Sequence, residues 1–271
     1  MNTSPATPPP TSPPSPAAFD PRGLVPDADA LAGRVIAITG PTAGIGRALA
    51  MEFARRGAQL ILLGRSVRKL EALDAELGAL QRHSGGPIVP PVLAPLDLEK
   101  ALAGDYDAIA DAVEKRWGRL DGLVHNASLL GQLTPIEQYD VPTWMRVMHV
   151  NVNAAFALTQ VLMPALRASE DASVLFTSSG VGRHGRAYWG AYAVSKFATE
   201  GLVQVLAAEL ERTHVRVNAI NPGKARTAMR RQAYPSEDLA TLPDPAALTL
   251  PYVVLASAAS RGVTGGSFDA Q

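Results

Sequence analysis

The stretch RVIAITGPTAGIGRALAMEFARRG, residues 34–57, decides the fold. Its opening, RVIAITG, is a short β-branched run that stops at Gly40, which predicts a buried strand. From 45 to 57 the apolar residues recur at helical spacing, and Gly57 closes the run. Between strand and helix lies TGPTAGIG (39–46), with Gly40, Gly44 and Gly46. Gly40 permits a tight turn. Gly44 and Gly46 let backbone approach a pyrophosphate and let the helix pack on the strand. The N–H groups of the helix start then face the anion. The spacing is Gly-x3-Gly-x-Gly, not the Gly-x-Gly-x2-Gly of the usual dinucleotide fingerprint. An ordinary glycine turn is the competing reading, and the strand before and helix after weigh against it.

Outward from this unit the alternation continues. Strands are expected in QLILLG (59–64), in GPIVPPVLAPLD (86–97), LDGLVHNA (120–127), ASVLFTSS (172–179), VRVNAINPG (215–223) and near GGSFDA (265–270). Helices are expected over 66–81, 105–118, 143–169, 191–212 and around 245–260. Short apolar strands separated by helices indicate βαβ units. The expected fold class is α/β: a single Rossmann-like doubly wound parallel sheet with helices on both faces. Its ligands bind at the carboxyl ends of the strands.

The 271 residues fit one large α/β domain, and 47% apolar residues suffice for its core. Lys plus Arg equals Asp plus Glu at 25 each, so nothing points to nucleic acid or an anionic membrane as partner. The chain has no cysteine, which excludes disulfides, zinc–thiolate sites and a Cys nucleophile. Its five histidines are scattered without ligand spacing, so no metal is expected. The opening MNTSPATPPPTSPPSPAAFD has neither an apolar run nor a basic start, and no apolar stretch approaches the ~20 residues that span a bilayer. Residues 1–30 are therefore expected to be a disordered Pro-rich tail, 31–271 the folded domain, and the location cytoplasmic.

The end of the second strand tests the cofactor. An acidic residue there would bind the ribose 2′-hydroxyl of NAD. The chain instead has Gly64, Arg65 and Ser66. A guanidinium suits a 2′-phosphate, which it can grip bidentately, so NADP(H) is preferred over NAD(H). Arg65 and Arg68 as solvated charges is the bland reading, slightly disfavoured at a helix start by the dipole. Asp97 and Asn126 close the third and fourth strands, either as turn formers or as contacts to the cofactor.

WGAYAVSKFATEG (189–201) carries Tyr192 and Lys196 on an otherwise apolar helix. Residues four apart share a face. A nearby ammonium favours phenolate, so the Tyr192 pKa is expected to fall from its free value of ~10 by about two to three units. A chance pair, with the lysine stem lying along an apolar surface, is the alternative.

Four stretches in order, TGPTAGIG, HNAS (125–128), SSGVGRHGRAYWGAYAVSK (178–196) and NPGKART (221–227), resemble the short-chain dehydrogenase/reductase family over roughly 31–271. Within it the likeness is to a little-characterised proteobacterial oxidoreductase subgroup. The resemblance implies a catalytic tetrad. Tyr192 and Lys196 match its Tyr-x3-Lys, whereas Tyr188 has Tyr192 rather than Lys four residues on. Ser179, thirteen residues before Tyr192, is favoured over Ser178. Asn151 is favoured over Asn153. The implied roles are Tyr192 as general acid/base, Ser179 on the substrate oxygen, Lys196 on the nicotinamide ribose and Asn151 positioning a water. The implied cofactor contacts are Gly40, Thr42, Gly44, Ile45 and Gly46; Arg65, Ser66, Asp97 and Leu98; Asn126 and Ala127; Tyr192 and Lys196; and Pro222, Gly223 and Thr227.

Two departures stand out: Ser128 replaces a glycine, which puts the backbone geometry there in question, and Ala225 stands where a β-branched residue is common. The implied activity is hydride transfer between NADP(H) and a small-molecule carbonyl or alcohol. An NADP(H)-binding sensor or interaction module is the competing function; imine or enone reduction is a third. GRHGR (182–186) reads as a solvated basic loop, and 228–244 as a polar loop over the substrate. The apolar helices at 143–169 and 191–212 suggest a homodimer or homotetramer.

Overall fold

The structure, a computed structural model, describes residues 16–271. Among these, seven parallel strands form one sheet in the order β3-β2-β1-β4-β5-β6-β7. They are β1 (Val35–Thr39), β2 (Gln59–Gly64), β3 (Val92–Pro95), β4 (Gly122–His125), β5 (Ala172–Thr177), β6 (Val215–Asn221) and β7 (Ser267–Asp269). The chain runs outward from β1 to β3, then returns to place β4 on the other side of β1. That reversal opens a crevice at the carboxyl ends of β1 and β4.

Both faces of the sheet are covered, and alternate strand residues serve opposite cores. Ile36, Ile38, Leu60 and Leu62 join one core with Leu49 and Phe53 of α1 (Gly44–Arg55), Leu70 and Leu77 of α2 (Val67–Gly78) and Tyr252 of α8 (Leu250–Ala256). Val35, Ala37, Ile61 and Leu63 join the other with Tyr106 of α3 (Ala103–Trp117), Leu158 and Leu162 of α5 (Ala154–Arg167) and Val203 of α6 (Gly190–Glu209).

The structure departs from the sequence expectations at four places. The single helix expected over 143–169 is α4 (Val141–Met148) and α5 joined by a π-helical turn, His149–Asn153. The 228–244 stretch is not wholly loop: Thr227 caps a short helix, α7 (Ala228–Ala233), by accepting from Arg230 N–H at 3.1 Å. Leu239–Ala256 is apolar enough, by length and composition, to cross a bilayer. Its three prolines break it into two 3-10 turns and the seven-residue α8, which is buried on the sheet.

The fourth concerns the tail. Residues 16–30 lie against the domain: Pro21 and Pro26 are buried, Phe19 meets Phe268 edge-on at 5.9 Å, and Arg56 donates to the carbonyls of Pro26 and Asp27 at 2.5 Å. An aromatic anchor and backbone carbonyls supply what proline-rich composition alone does not. The rest of the expected tail, 1–15, lies outside the described residues.

Candidate active site

The glycine turn is locked from three sides. Thr39 Oγ1 accepts from the N–H groups of Asn126 and Ala127 at 3.0 and 3.1 Å, tying the end of β1 to the end of β4. The Asn126 amide donates to the carbonyls of Thr39 and Gly40, both at 3.2 Å. Gly46 closes the lock from α1: a Cβ there would stand 2.2 Å from Gly40 O and 2.4 Å from Asn126 Nδ2. Gly40 and Gly44 have φ of +64° and +52°, which glycine adopts without cost. The start of α1 therefore presents free N–H groups to a cleft of about 470 Å³.

That cleft crosses the carboxyl edge of the sheet. Gly40, Thr42, Gly44 and Ile45 line it beside α1; Arg65 and Ser66 line it beyond β2; Asp97 and Leu98 beyond β3; Asn126 and Ala127 beyond β4. Ser179, Tyr192 and Lys196 line it beyond β5, and Pro222, Gly223 and Thr227 beyond β6. Of the residues expected to contact the cofactor, only Gly46 is not on the cleft wall; it packs behind the turn. Asn126 and Asp97 both serve as turn formers. Asn126 braces the turn, Asp97 Oδ1 accepts from Glu99 N–H at 3.2 Å, and both line the cleft.

At the β2 end, Ser66 sits at the N-cap of α2 but its hydroxyl makes no capping bond. Arg65 is exposed, with no acidic partner among the described residues. Lys69, not Arg68, shares the wall with it. Lys69 was missed; it stands in the first turn of α2, three residues past the Ser66 N-cap.

At the β5 end, Tyr192 and Lys196 are buried on one face of α6. Lys196 Nζ lies 5.5 Å from the centroid of the Tyr192 ring and donates to Thr177 O at 2.7 Å. Gly182 makes this packing possible, since a Cβ there would stand 2.7 Å from the Lys196 Cβ. The expected fall in the Tyr192 pKa is not found. Burial pushes the phenol up to about 12, while a hydrogen bond from Ser179 pulls the other way. The Lys196 ammonium, 5.5 Å from the ring centroid, does not offset this while the phenol is protonated. Burial likewise pushes Lys196 down to about 8, opposed by the carboxylate of Glu200 one turn on.

A test on stability follows. The unfolded lysine holds its proton up to its ordinary 10.5, whereas the folded one releases it near 8. Between those values the unfolded state binds more protons, so folding strengthens as pH rises. Wild type should gain stability relative to Lys196→Met across that window in urea unfolding. A flat or falling difference would contradict the buried charge.

Glu200 was missed, although it continues the i, i+4 row of Tyr192 and Lys196. It is buried, accepts from Ser178 Oγ at 2.5 Å and lies 3.5 Å from Arg183. Ser178 and Ser179 both line the cleft, but the Ser178 hydroxyl is committed to Glu200. The GRHGR loop is not merely solvated: Arg183 pairs with Asp269 at 2.9 Å and donates to Phe268 O at 2.7 Å. Tyr188 is 61% exposed at φ +73°, away from the cleft wall.

Asn151 stands in the π turn, behind the cleft. Its Oδ1 accepts from Leu129 N–H at 2.7 Å, and its Nδ2 donates to Leu129 O at 2.9 Å and Ser195 Oγ at 3.0 Å. With Lys196, Thr177 and His125 it lines a small void of about 10 Å³. His125 stacks on Phe176 at 4.5 Å and shares a hydrogen bond with Thr159; burial, then the Lys196 charge, push its pKa down to about 3, so it is neutral. Ser128 needs no unusual backbone, since Tyr188 is the one non-glycine with positive φ among the described residues. Its hydroxyl is buried without a partner on the cleft wall. The apolar wall of Leu129, Leu130, Trp189 and Met229 was not anticipated, because nothing in their spacing marks them.

The sequence pattern of the short chain dehydrogenases matches residues 34–238. The oxidoreductase YciK of Escherichia coli K12 is 46% identical over 246 residues, covering 91% of this chain and 95% of that one. The 3-oxoacyl-[acyl-carrier-protein] reductase FabG of Thermotoga maritima is 33% identical, over 73% of this chain and 77% of its own. Among solved structures, a short chain dehydrogenase from Pseudomonas syringae superposes with a TM-score of 0.87 at 49% identity, covering 91% and 98% of the two chains. One from Escherichia coli CFT073, complexed with NADPH, gives 0.86 at 47% identity over 91% and 100%.

Proposed function

The chain belongs to the short-chain dehydrogenase family and is a dehydrogenase/reductase, and from that premise we propose that it reduces a carbonyl substrate with NADPH, Tyr192 giving the proton. The observation that carries this is the phenol itself: buried on α6, its ring centroid 5.5 Å from Lys196 Nζ, and on the wall of the cleft together with Ser179. At neutral pH it keeps its proton. An alkoxide forming at the substrate oxygen is a stronger base and can take it.

The cleft suits the cofactor. The free helix start of α1 takes the pyrophosphate, and Arg65, Ser66 and Lys69 take the 2′-phosphate. The Ser128 hydroxyl, buried on the cleft wall without a partner, is left to bond a ligand there. A nicotinamide bound there would supply the hydride for reduction of the carbonyl. Ser179 donates to the carbonyl oxygen and holds the developing charge. Tyr192 transfers its proton to that oxygen. Lys196, charged below about pH 8, stabilises the phenolate left behind. The void beside Lys196 and Asn151 matches one water molecule in size and offers it polar partners, a route for the replacement proton. Running in reverse, the same groups oxidise an alcohol.

NADP(H) specificity is tested at Arg65. A charge-assisted hydrogen bond contributes about 1.5–3 kcal/mol, so Arg65→Ala should weaken NADPH roughly ten- to hundredfold and NADH little. Equal losses in a fluorescence titration would show that the preference lies elsewhere. Phe156 on α5 and Val194, Phe197 and Val205 on α6 remain 41–55% exposed, which supports a homodimer or homotetramer.

A further inference from the structure

We propose that Gln271 is a positioning residue for the nicotinamide half of the cofactor: its amide fixes the turn at Pro222–Lys224, and Arg22 holds Gln271 in place. This rests on the reading that the cleft takes NADPH.

The turn follows β6 and carries Gly223 at φ +73°. Pro222 and Gly223 line the cleft on one side. On the other side, Gln271 Nε2 donates to Pro222 O at 2.9 Å and Lys224 O at 2.6 Å, so both hydrogens of the amide are spent on one turn. The fit is close: a Cβ on Gly223 would stand 2.7 Å from Gln271 Cδ. Inside the turn, Gly223 N–H donates to Asn221 Oδ1 at 3.0 Å, and Asn221 Nδ2 donates to Asp269 Oδ1 at 2.8 Å.

Gln271 is itself anchored. Ala270 N–H donates to Asn221 O at 2.9 Å. Arg22 Nη1 donates to Gln271 O at 2.8 Å, and Asp20 fixes that guanidinium through Nε and Nη2, both at 2.9 Å. The Phe19–Phe268 contact lies beneath. Residues 19–22 thus strap residues 268–271 onto the turn. Without the Gln271 amide the two carbonyls would face water, and a turn built on a positive-φ glycine would sample other conformations, which a bound nicotinamide must then select against.

The test separates the two halves of the cofactor. NADPH spans the cleft, whereas adenosine 2′,5′-bisphosphate carries the adenine and 2′-phosphate but no nicotinamide. Fluorescence titration of Gln271→Ala should show NADPH binding weakened about five- to tenfold, with the bisphosphate essentially unchanged. Arg22→Ala should move the same way by a smaller factor, and Gln271→Glu, which cannot donate, should match the alanine variant. Unchanged NADPH affinity in Gln271→Ala overturns the proposal. So does an equal loss for both ligands, which would mean general loosening. If wild type binds neither ligand, the cofactor reading fails instead, and the proposal with it.

Discussion

Replacing Tyr192 by Phe should cut NADPH-dependent carbonyl reduction about a hundred- to ten-thousandfold, the usual worth of a positioned general acid. The substitution removes one oxygen from a buried ring and little else. The hydrogen bond from Ser179 is lost, but the ring still packs near Trp189, at 5.9 Å between centroids, and Lys196 keeps its bond to Thr177. NADPH affinity and melting temperature should therefore stay close to wild type. A panel of ketones and aldehydes, followed by NADPH oxidation, reads the loss. Undiminished turnover would show that the proton comes from another group. Comparable losses of turnover and of cofactor affinity would show that the ring, not its hydroxyl, matters.

Gly46→Ala should be the most damaging single methyl group in the cofactor site. It would stand 2.2 Å from a backbone carbonyl and 2.4 Å from the Asn126 amide, neither of which can retreat without opening the turn. Forced contacts of this kind cost about 1–3 kcal/mol, occasionally more. Because the displaced group is the turn itself, NADPH binding should be lost along with stability. Gly78 provides the control. It lies at the end of α2, where an added methyl would meet nothing within 4 Å, so Gly78→Ala should be neutral or stabilising by about 0.4–1 kcal/mol. Equal melting temperatures for the two variants would remove the steric argument.

Much of the architecture was legible because local pattern and global fold agree. The runs at 35–39 and 59–64 are strands in both readings, and TGPTAGIG sits between strand and helix as its glycines require. Expected site residues with a spacing rule behind them, Gly40 and Gly44, Tyr192 with Lys196, and Arg65 after β2, do come together on the wall of one cleft. What stayed hidden depends on three-dimensional packing. Leu129, Leu130 and Trp189 line the cleft only because other elements bring them there. The sign of the Tyr192 shift was misread because spacing reveals a neighbour's charge but not burial, which is the larger effect here. The ordered segment at 16–30 escaped notice because its composition is that of a tail, while its anchors, Phe19 and Arg22, find partners about 250 residues away.

The π turn at His149–Asn153 holds one residue more per revolution than the helices it joins. Deleting one of those five residues would restore ordinary winding and leave α4 and α5 at nearly their present relative rotation, because the wider turn already absorbs the extra residue. Such a single-codon loss would leave Trp144 and Val147 on their seat against Tyr139 and Ala191 but re-aim the side chains within the turn, pulling that of Asn151 away from Leu129. The length of this segment, as much as its lettering, is therefore under physical constraint.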